Sequence, residues 1–164
     1  MDGKLRNMAS IYLRQKNRFL LLYRTGSRVI ADSYTGTAGG HFEPEELNDA
    51  KACVLRELQE ETGLTEQEIR GLKLRYITLR LKNGEVRQNY YFFAELEEHV
   101  KTKDIVSNEG QLFWFEEEEL ETLEMPHSAK YMLRHYVQTG QYTDCLYGGV
   151  AVEDGVEFIE LKEF

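Results

Sequence analysis

Proline and cysteine are scarce in this chain, and it has no surplus of basic residues. With two prolines in 164 residues and no Pro/Ser-rich or low-complexity tract, nothing marks a linker. Residues 1–164 are therefore expected to form a single domain, long enough to bury a sizeable core. The two cysteines, Cys53 and Cys145, stand far apart and belong to no CxxC or zinc-like spacing. That predicts two reduced, partly buried thiols rather than a disulfide or a metal site. No apolar run approaches the ~20 residues that span a bilayer, so no membrane partner is expected. The opening MDGKLRNMAS lacks the apolar middle of a secretory leader, which leads to the expectation of a cytoplasmic location. A net charge of −9 argues against a nucleic-acid polymer as partner, because phosphate-backbone binders carry a basic stripe. It leaves room for a small phosphorylated molecule, since a bound divalent cation inverts the local sign.

What is present is a chain rich in strand signals. MASIYLRQ and RFLLLYR read as strands around a turn at Lys16-Asn17, and SRVIADSYTGTAGGHFE as loop with a short strand. Asn48 or Asp49 can cap a helix that runs to Thr62, with Gly63 as its stop. GLKLRYITLRL and EVRQNYYFFAEL flank Lys82-Asn83-Gly84, and Asn-Gly between β-rich runs is a strong hairpin signal. In the second run Val86, Tyr90, Phe92, Ala94 and Leu96 share the face expected to be buried. QLFWF reads as a strand, EEEELETL as a helix start with a solvated acidic face, and HSAKYMLRHYVQ as a helix. CLYGGVAV and VEFIEL form a second hairpin about Glu153-Asp154-Gly155. The mixed order points to an α+β, α/β/α-layered domain.

The acidic helix carries the chemistry. Residues three and four apart share a helix face, so Glu57, Glu60 and Glu61 are expected to gather on one stripe, with Leu47, Val54, Leu55 and Leu58 on another. Arg56 precedes Glu60 by four residues and can hold its carboxylate. Like charges this close cost a few tenths of a kcal/mol per pair, roughly 0.2–0.5, and are comfortable beside solvent, a basic group or a cation. Two readings follow: a solvated surface helix, or a hard-cation site for Mg²⁺ or Mn²⁺.

The glycine context separates them. AGGHFEPEELNDAKACVLRELQEETGL, residues 38–64, resembles the signature of the Nudix hydrolases, MutT-like members included: Gly, five residues, Glu, seven residues, then Arg-Glu-aliphatic-x-Glu-Glu-x-Gly-aliphatic. The second half is complete from Arg56 to Leu64. Gly40, HFEPE and Glu46 match the first half, but nine residues rather than seven separate Glu46 from Arg56. Counting back from Arg56 instead would put Asn48 and Phe42 in the places of the glutamate and glycine. A two-residue expansion of the loop before the helix is preferred, because GGHFEPEE so closely follows the family's glycine-to-glutamate run.

The resemblance implies an α/β/α sandwich around a mixed sheet and metal-dependent hydrolysis of a nucleoside diphosphate linked to another group. It implies Glu57, Glu60 and Glu61 as ligands to Mg²⁺ or Mn²⁺, with Gly40 bringing backbone close to the metal, Gly39 close to the substrate phosphates, and Arg56 orienting the cluster. Glu109, in an EGQ run like that of MutT-type members, is a further catalytic candidate. Arg24, Asn89 and His127 are candidates for contacting the nucleotide, and Tyr90, Phe92 or Trp114 for stacking on its base. The expected activity is cleavage of a nucleoside triphosphate, with 8-oxo-dGTP as one candidate, to monophosphate and pyrophosphate. The alternatives are ADP-ribose or another nucleoside diphosphate derivative as substrate, or a nucleotide-sensing module without turnover. A homodimer is compatible with the reading.

Overall fold

The computed structural model describes residues 3–24 and 32–164. Nine strands among these residues form one sheet: β1 (Lys4–Gln15), β2 (Arg18–Arg24), β3 (Ser33–Thr35), β4 (Ala38–His41), β5 (Ile69–Lys82), β6 (Glu85–Leu96), β7 (Gln111–Glu116), β8 (Leu146–Val152) and β9 (Gly155–Leu161). The two α-helices among the described residues are α1 (Ala50–Thr62) and α2 (His127–Gln138). The sheet runs β3-β2-β1-β6-β5-β8-β9, with β4 added on β1 and β7 on β2. β1 pairs parallel to β6 and β5 parallel to β8, while the remaining pairs are antiparallel.

The hairpins form at the turns the sequence marks. Asn83 and Gly84 both take positive φ, 55° and 74°, the left-handed pair that matches strand twist in a two-residue turn. Lys16 does the same at 58° between β1 and β2. The expected short strand between residues 27 and 43 is in fact two, β3 and β4, and residues 27–31 of that run lie outside those described. The acidic run becomes a 3₁₀ turn, Glu117–Thr122, before α2.

Strand alternation divides the core into two layers. Ile11 and Leu13 of β1, Leu20 of β2, and Phe92, Ala94 and Leu96 of β6 pack with Val54 and Leu58 of α1. Their neighbours in sequence, Tyr12, Phe19, Leu21, Tyr91 and Phe93, point the other way onto Met132, Leu133 and Tyr136 of α2. The result is the expected α/β/α sandwich. Leu47 does not join the apolar stripe: it precedes α1 and is exposed, because the helix begins only after Asp49, whose carboxylate caps it by accepting from Ala52 N–H at 3.0 Å. Gly63 ends α1 at φ 75°. Both cysteines are free, Cys53 buried and Cys145 half-buried.

At its N-terminal half β1 exchanges β2 for β4, and Thr37 fills the split. Its buried hydroxyl donates to Leu20 O at 2.6 Å and accepts from Leu13 N–H at 3.0 Å. The glycine-bearing strand β4 is thereby fixed against β1. Thr37→Val, which keeps the shape and removes both bonds, is expected to destabilise the fold by about 2–4 kcal/mol by denaturant titration, whereas Thr37→Ser should stay within about 1 kcal/mol of the parent.

Candidate active site

Two adjoining cavities lie where β4, β1 and β6 meet α1 and α2. The larger, about 500 Å³, is lined by Arg24, Gly39, Gly40, Arg56, Glu57, Glu61 and Glu109 among others. The smaller, about 130 Å³, is lined by Ser10, Tyr12, Arg80, Arg87, Asn89 and Ser128 among others. Met8, Arg24 and Gly39 border both, so they form one cleft.

The larger cavity is organised by Arg56. Its Nε and Nη2 donate to the two carboxylate oxygens of Glu46 at 2.7 and 2.9 Å, Nη2 also to His41 O at 3.0 Å, and Nη1 to Glu57 at 2.8 Å and Glu60 at 3.1 Å. Glu46 is buried, and one of its oxygens also accepts the backbone N–H of Glu43 at 2.9 Å. The Arg56 bonds hold the Glu46 carboxyl down at about 2, and the same partners raise the guanidinium above its ordinary value. The lengthened spacing is thereby accounted for. A 3₁₀ turn at Pro44–Glu46, then Leu47 to Asp49, absorb the two extra residues, and Glu46, not Asn48, meets the arginine.

The glycines act through closeness. Gly39 N–H donates to Glu61 Oε2 at 3.3 Å. A Cβ on Gly40 would fall on the Glu57 carboxylate, and one on Gly39 would strike the backbone of β1. Glu61 is buried, and burial, ahead of the opposing pull of Arg24, pushes its carboxyl up to about 7. Arg24 Nη2 stands 3.7 Å from Glu61 and 3.6 Å from Glu109. The Glu109 loop is tied to α1: Asn108 donates from its backbone N–H to Glu61 O at 3.1 Å and from its side chain to Glu60 O at 3.0 Å.

Glu57 and Glu61, one helical turn apart, line the cavity as their spacing requires. Glu60 does not: it is 58% exposed and turned to the outer side of Arg56, since 100° of helix rotation separates it from Glu61. Among the described residues no three acidic, imidazole or thiol groups stand close enough to share an ion as the side chains lie, Arg56 and Arg24 being the cations beside these carboxylates. The donors are nonetheless those a hard divalent ion takes, carboxylate oxygens on one helix facing the open backbone of Gly40.

Asn89 lines the smaller cavity, on the face of β6 that also presents Arg87 and Tyr91. His127 lines neither cavity. Its Nε2 bonds Gly155 O at 2.9 Å and its ring packs on Tyr131, while the next residue, Ser128, faces the cleft with a buried hydroxyl that has no partner among the described residues. The stacking candidates are elsewhere too: Phe92 is in the α1-side core, Tyr90 packs on Phe42, and Trp114 lies under Arg18. The aromatic rings that border the cleft are Phe42 in the larger cavity and Tyr12 and Tyr91 in the smaller, and Tyr91 lies between Tyr90 and Phe92 on the opposite strand face.

A family model described as the NUDIX domain matches residues 4–136. The chain belongs to the NUDIX family. Membership makes it a pyrophosphohydrolase by family. Similar solved structures agree in fold: a MutT protein from Bacillus halodurans (22% identity, TM-score 0.65, 93% of this chain and 97% of that one) and a NUDIX hydrolase from Nitrosomonas europaea (16%, 0.70, 92% and 81%). A C. elegans Ap4A hydrolase in a binary complex is similar as well (19%, 0.63, 84% and 99%). No curated protein matches the chain in sequence.

Replacing Glu46 isolates the Arg56 anchor. Glu46→Gln is expected to lower stability by about 2 kcal/mol at pH 7. Because the folded carboxyl titrates near 2 and the free one near 4.5, its contribution is complete above about 4.5 and is lost as pH falls through about 2. Denaturation curves of parent and variant should therefore converge on acidification through that window.

Proposed function

We propose that this NUDIX protein is a divalent-metal-dependent pyrophosphohydrolase that converts a nucleoside triphosphate to monophosphate and pyrophosphate, with 8-oxo-dGTP as the first candidate substrate. The observation that carries the reading is the division of the cleft. Glu57 and Glu61 stand at one end, a smaller chamber lined by Asn89, Ser128, Arg80 and Arg87 adjoins them, and Arg24 sits at the junction. An extended anion with a base at one end fits that division: the diphosphate linkage beside the carboxylates, the base beside amide, hydroxyl and guanidinium groups. In a chain of net charge −9, the arginines collected here supply the positive potential that such a substrate requires.

Glu57, Glu61 and the backbone of Gly40, with Glu60 after a side-chain rotation, would hold Mg²⁺ or Mn²⁺. Such an ion neutralises the phosphates and acidifies water. Arg56 keeps Glu57 and Glu60 from separating and fixes the end of β4, the strand that carries Gly40. Arg24 binds phosphate oxygens on the side away from α1. Glu109, opposite Glu61 across Arg24, is placed to take a proton from an attacking water at its carboxylate oxygen. The tether from Asn108 to α1 keeps that carboxylate at the cavity.

Purified protein with Mg²⁺ should be offered 8-oxo-dGTP, the ordinary nucleoside triphosphates, ADP-ribose and Ap4A, with products resolved by anion exchange. Monophosphate and pyrophosphate from triphosphates are expected, with 8-oxo-dGTP preferred. Glu61→Gln and Glu57→Gln are each expected to lower kcat at least about 100-fold with an unchanged circular dichroism spectrum. A fully active Glu61→Gln protein would overturn the assignment of the carboxylates, and cleavage of ADP-ribose or Ap4A alone would overturn the substrate.

A further inference from the structure

Strand register builds a row of three arginines across the cleft-bearing face of the sheet. Arg6 of β1 is the partner of Arg87 of β6, and Arg87 is the partner of Arg80 of β5. Like charges directly opposite on neighbouring strands destabilise a sheet, so such a row calls for something to offset it. Within the chain little does. In the row on one side Lys4, Glu85 and Lys82 are partners, so the single acid stands between two lysines. Glu85 accepts from Arg87 Nε at 3.1 Å. Among the described residues Arg80 joins no ion pair. In the row on the other side Met8, Asn89 and Thr78 carry no charge.

Arg80 and Arg87 line the smaller chamber, Arg6 lines the larger, and Arg24 sits at their junction. No acid among the described residues lines the smaller chamber, in a chain with 29 acids against 20 lysines and arginines. The Asn89 amide and the partnerless buried hydroxyl of Ser128 add donors to it. A base would use the amide and the hydroxyl. It would not neutralise the arginines, and the chamber offers it no aromatic face, because Tyr12 and Tyr91 are only 1% and 4% exposed. A phosphate monoester meets what is left over. It carries about −1.5 to −2 at pH 7, and its oxygens match the forked edge of a guanidinium. A carboxylate would bring a single charge to a face where Lys4, Lys82, Arg80 and Arg87 surround one acid.

We infer that the cleft takes a second class of substrate: a diphosphate-linked molecule with a separate phosphate monoester on its sugar, that monoester lying on Arg80 and Arg87. The inference rests on the reading that Glu57 and Glu61 hold the scissile diphosphate at the other end. The monoester occupies the end of the cleft that the base of a triphosphate occupies, and it is a handle rather than a reactant. A water oxygen bonds to one phosphorus of the diphosphate and the bridging P–O bond breaks. The water's proton passes to Glu109, and two phosphate monoesters leave with the separate phosphate intact.

Turnover should be compared within two pairs of molecules that differ by one monoester, NADPH against NADH and coenzyme A against dephospho-coenzyme A, which place it at the ribose 2′ and 3′ positions in turn. In at least one pair the phosphorylated member should show a kcat/KM at least about tenfold higher. Arg80→Gln and Arg87→Gln should each bring that ratio within about twofold, through the KM of the phosphorylated member. Arg80→Gln should also melt at or above the parent's temperature in low salt, since it removes a like-charge pair, whereas loss of a merely structural arginine would lower it. Calorimetry without turnover separates this inference from the hydrolysis beneath it. Adenosine 2′,5′- or 3′,5′-bisphosphate should bind the parent at least about tenfold more tightly than adenosine 5′-monophosphate, and bind Arg80→Gln nearly equally. An inactive protein that keeps this difference refutes the hydrolysis alone. A protein that binds bisphosphate and monophosphate alike, or a preference that survives both glutamine variants, refutes the role of the arginine row.

Discussion

One guanidinium holds the active-site region together. Arg56 has five N–H donors in a rigid fork, and it makes five bonds to oxygen: two to Glu46, one to the His41 carbonyl, and one each to Glu57 and Glu60. These partners come from the loop before α1, from the end of β4 and from α1 itself. Lysine could not replace this pattern, because a point charge with three donors cannot present a bidentate edge to Glu46 while reaching Glu57 on the other side. Glu46 is buried and would be costly unpaired, so the loop is committed to its arginine. Gly40 follows, since it lies in the strand that Arg56 grips at His41 O, and any side chain there would occupy the space of the Glu57 carboxylate.

The clustering of acids in an already acidic protein makes sense only with what faces it. Arg56 stands behind Glu57 and Arg24 stands before Glu61, and both glutamates remain on the cavity wall. Arg24 is the hinge of the charge distribution: it borders the carboxylate chamber and the smaller chamber alike. A ligand that spans both must pass it. An anion entering the cleft would meet guanidinium groups at the junction and at the far end, with the acids confined to the end where a divalent cation would offset them.

Local signals were enough for the framework. Asn-Gly at residues 83 and 84, Asp49 before α1, Gly63 after it and alternating apolar residues in β1 and β6 each act over a few residues, and each is where the structure puts its turn, cap or core. The pairing of Glu46 with Arg56 across the lengthened spacing was legible from the glycine-to-glutamate run, whereas the outward turn of Glu60 from the stripe expected of Glu57, Glu60 and Glu61 was not. Direction around an element was less accessible. His127 and Ser128 differ by 100° of helix, and only the packing of α2 on β9 turns the serine to the cleft and the histidine to Gly155. Likewise, apolar alternation in β6 drew attention to Phe92 and Tyr90, whereas the cleft is built on the face bearing Arg87, Asn89 and Tyr91. A face that is half core and half cavity has no simple period.

The C-terminal hairpin changes the balance of the sandwich. The NUDIX match ends at residue 136, and β8 and β9 follow, joining the sheet on β5. They widen it by two strands, about 10 Å at the usual spacing, which is the width of one packed helix. On the α2 side that width is used: Tyr147 and Phe158 pack with Tyr76 and His135. On the other side no third helix among the described residues accompanies the added strands, and leucine, isoleucine and valine meet solvent.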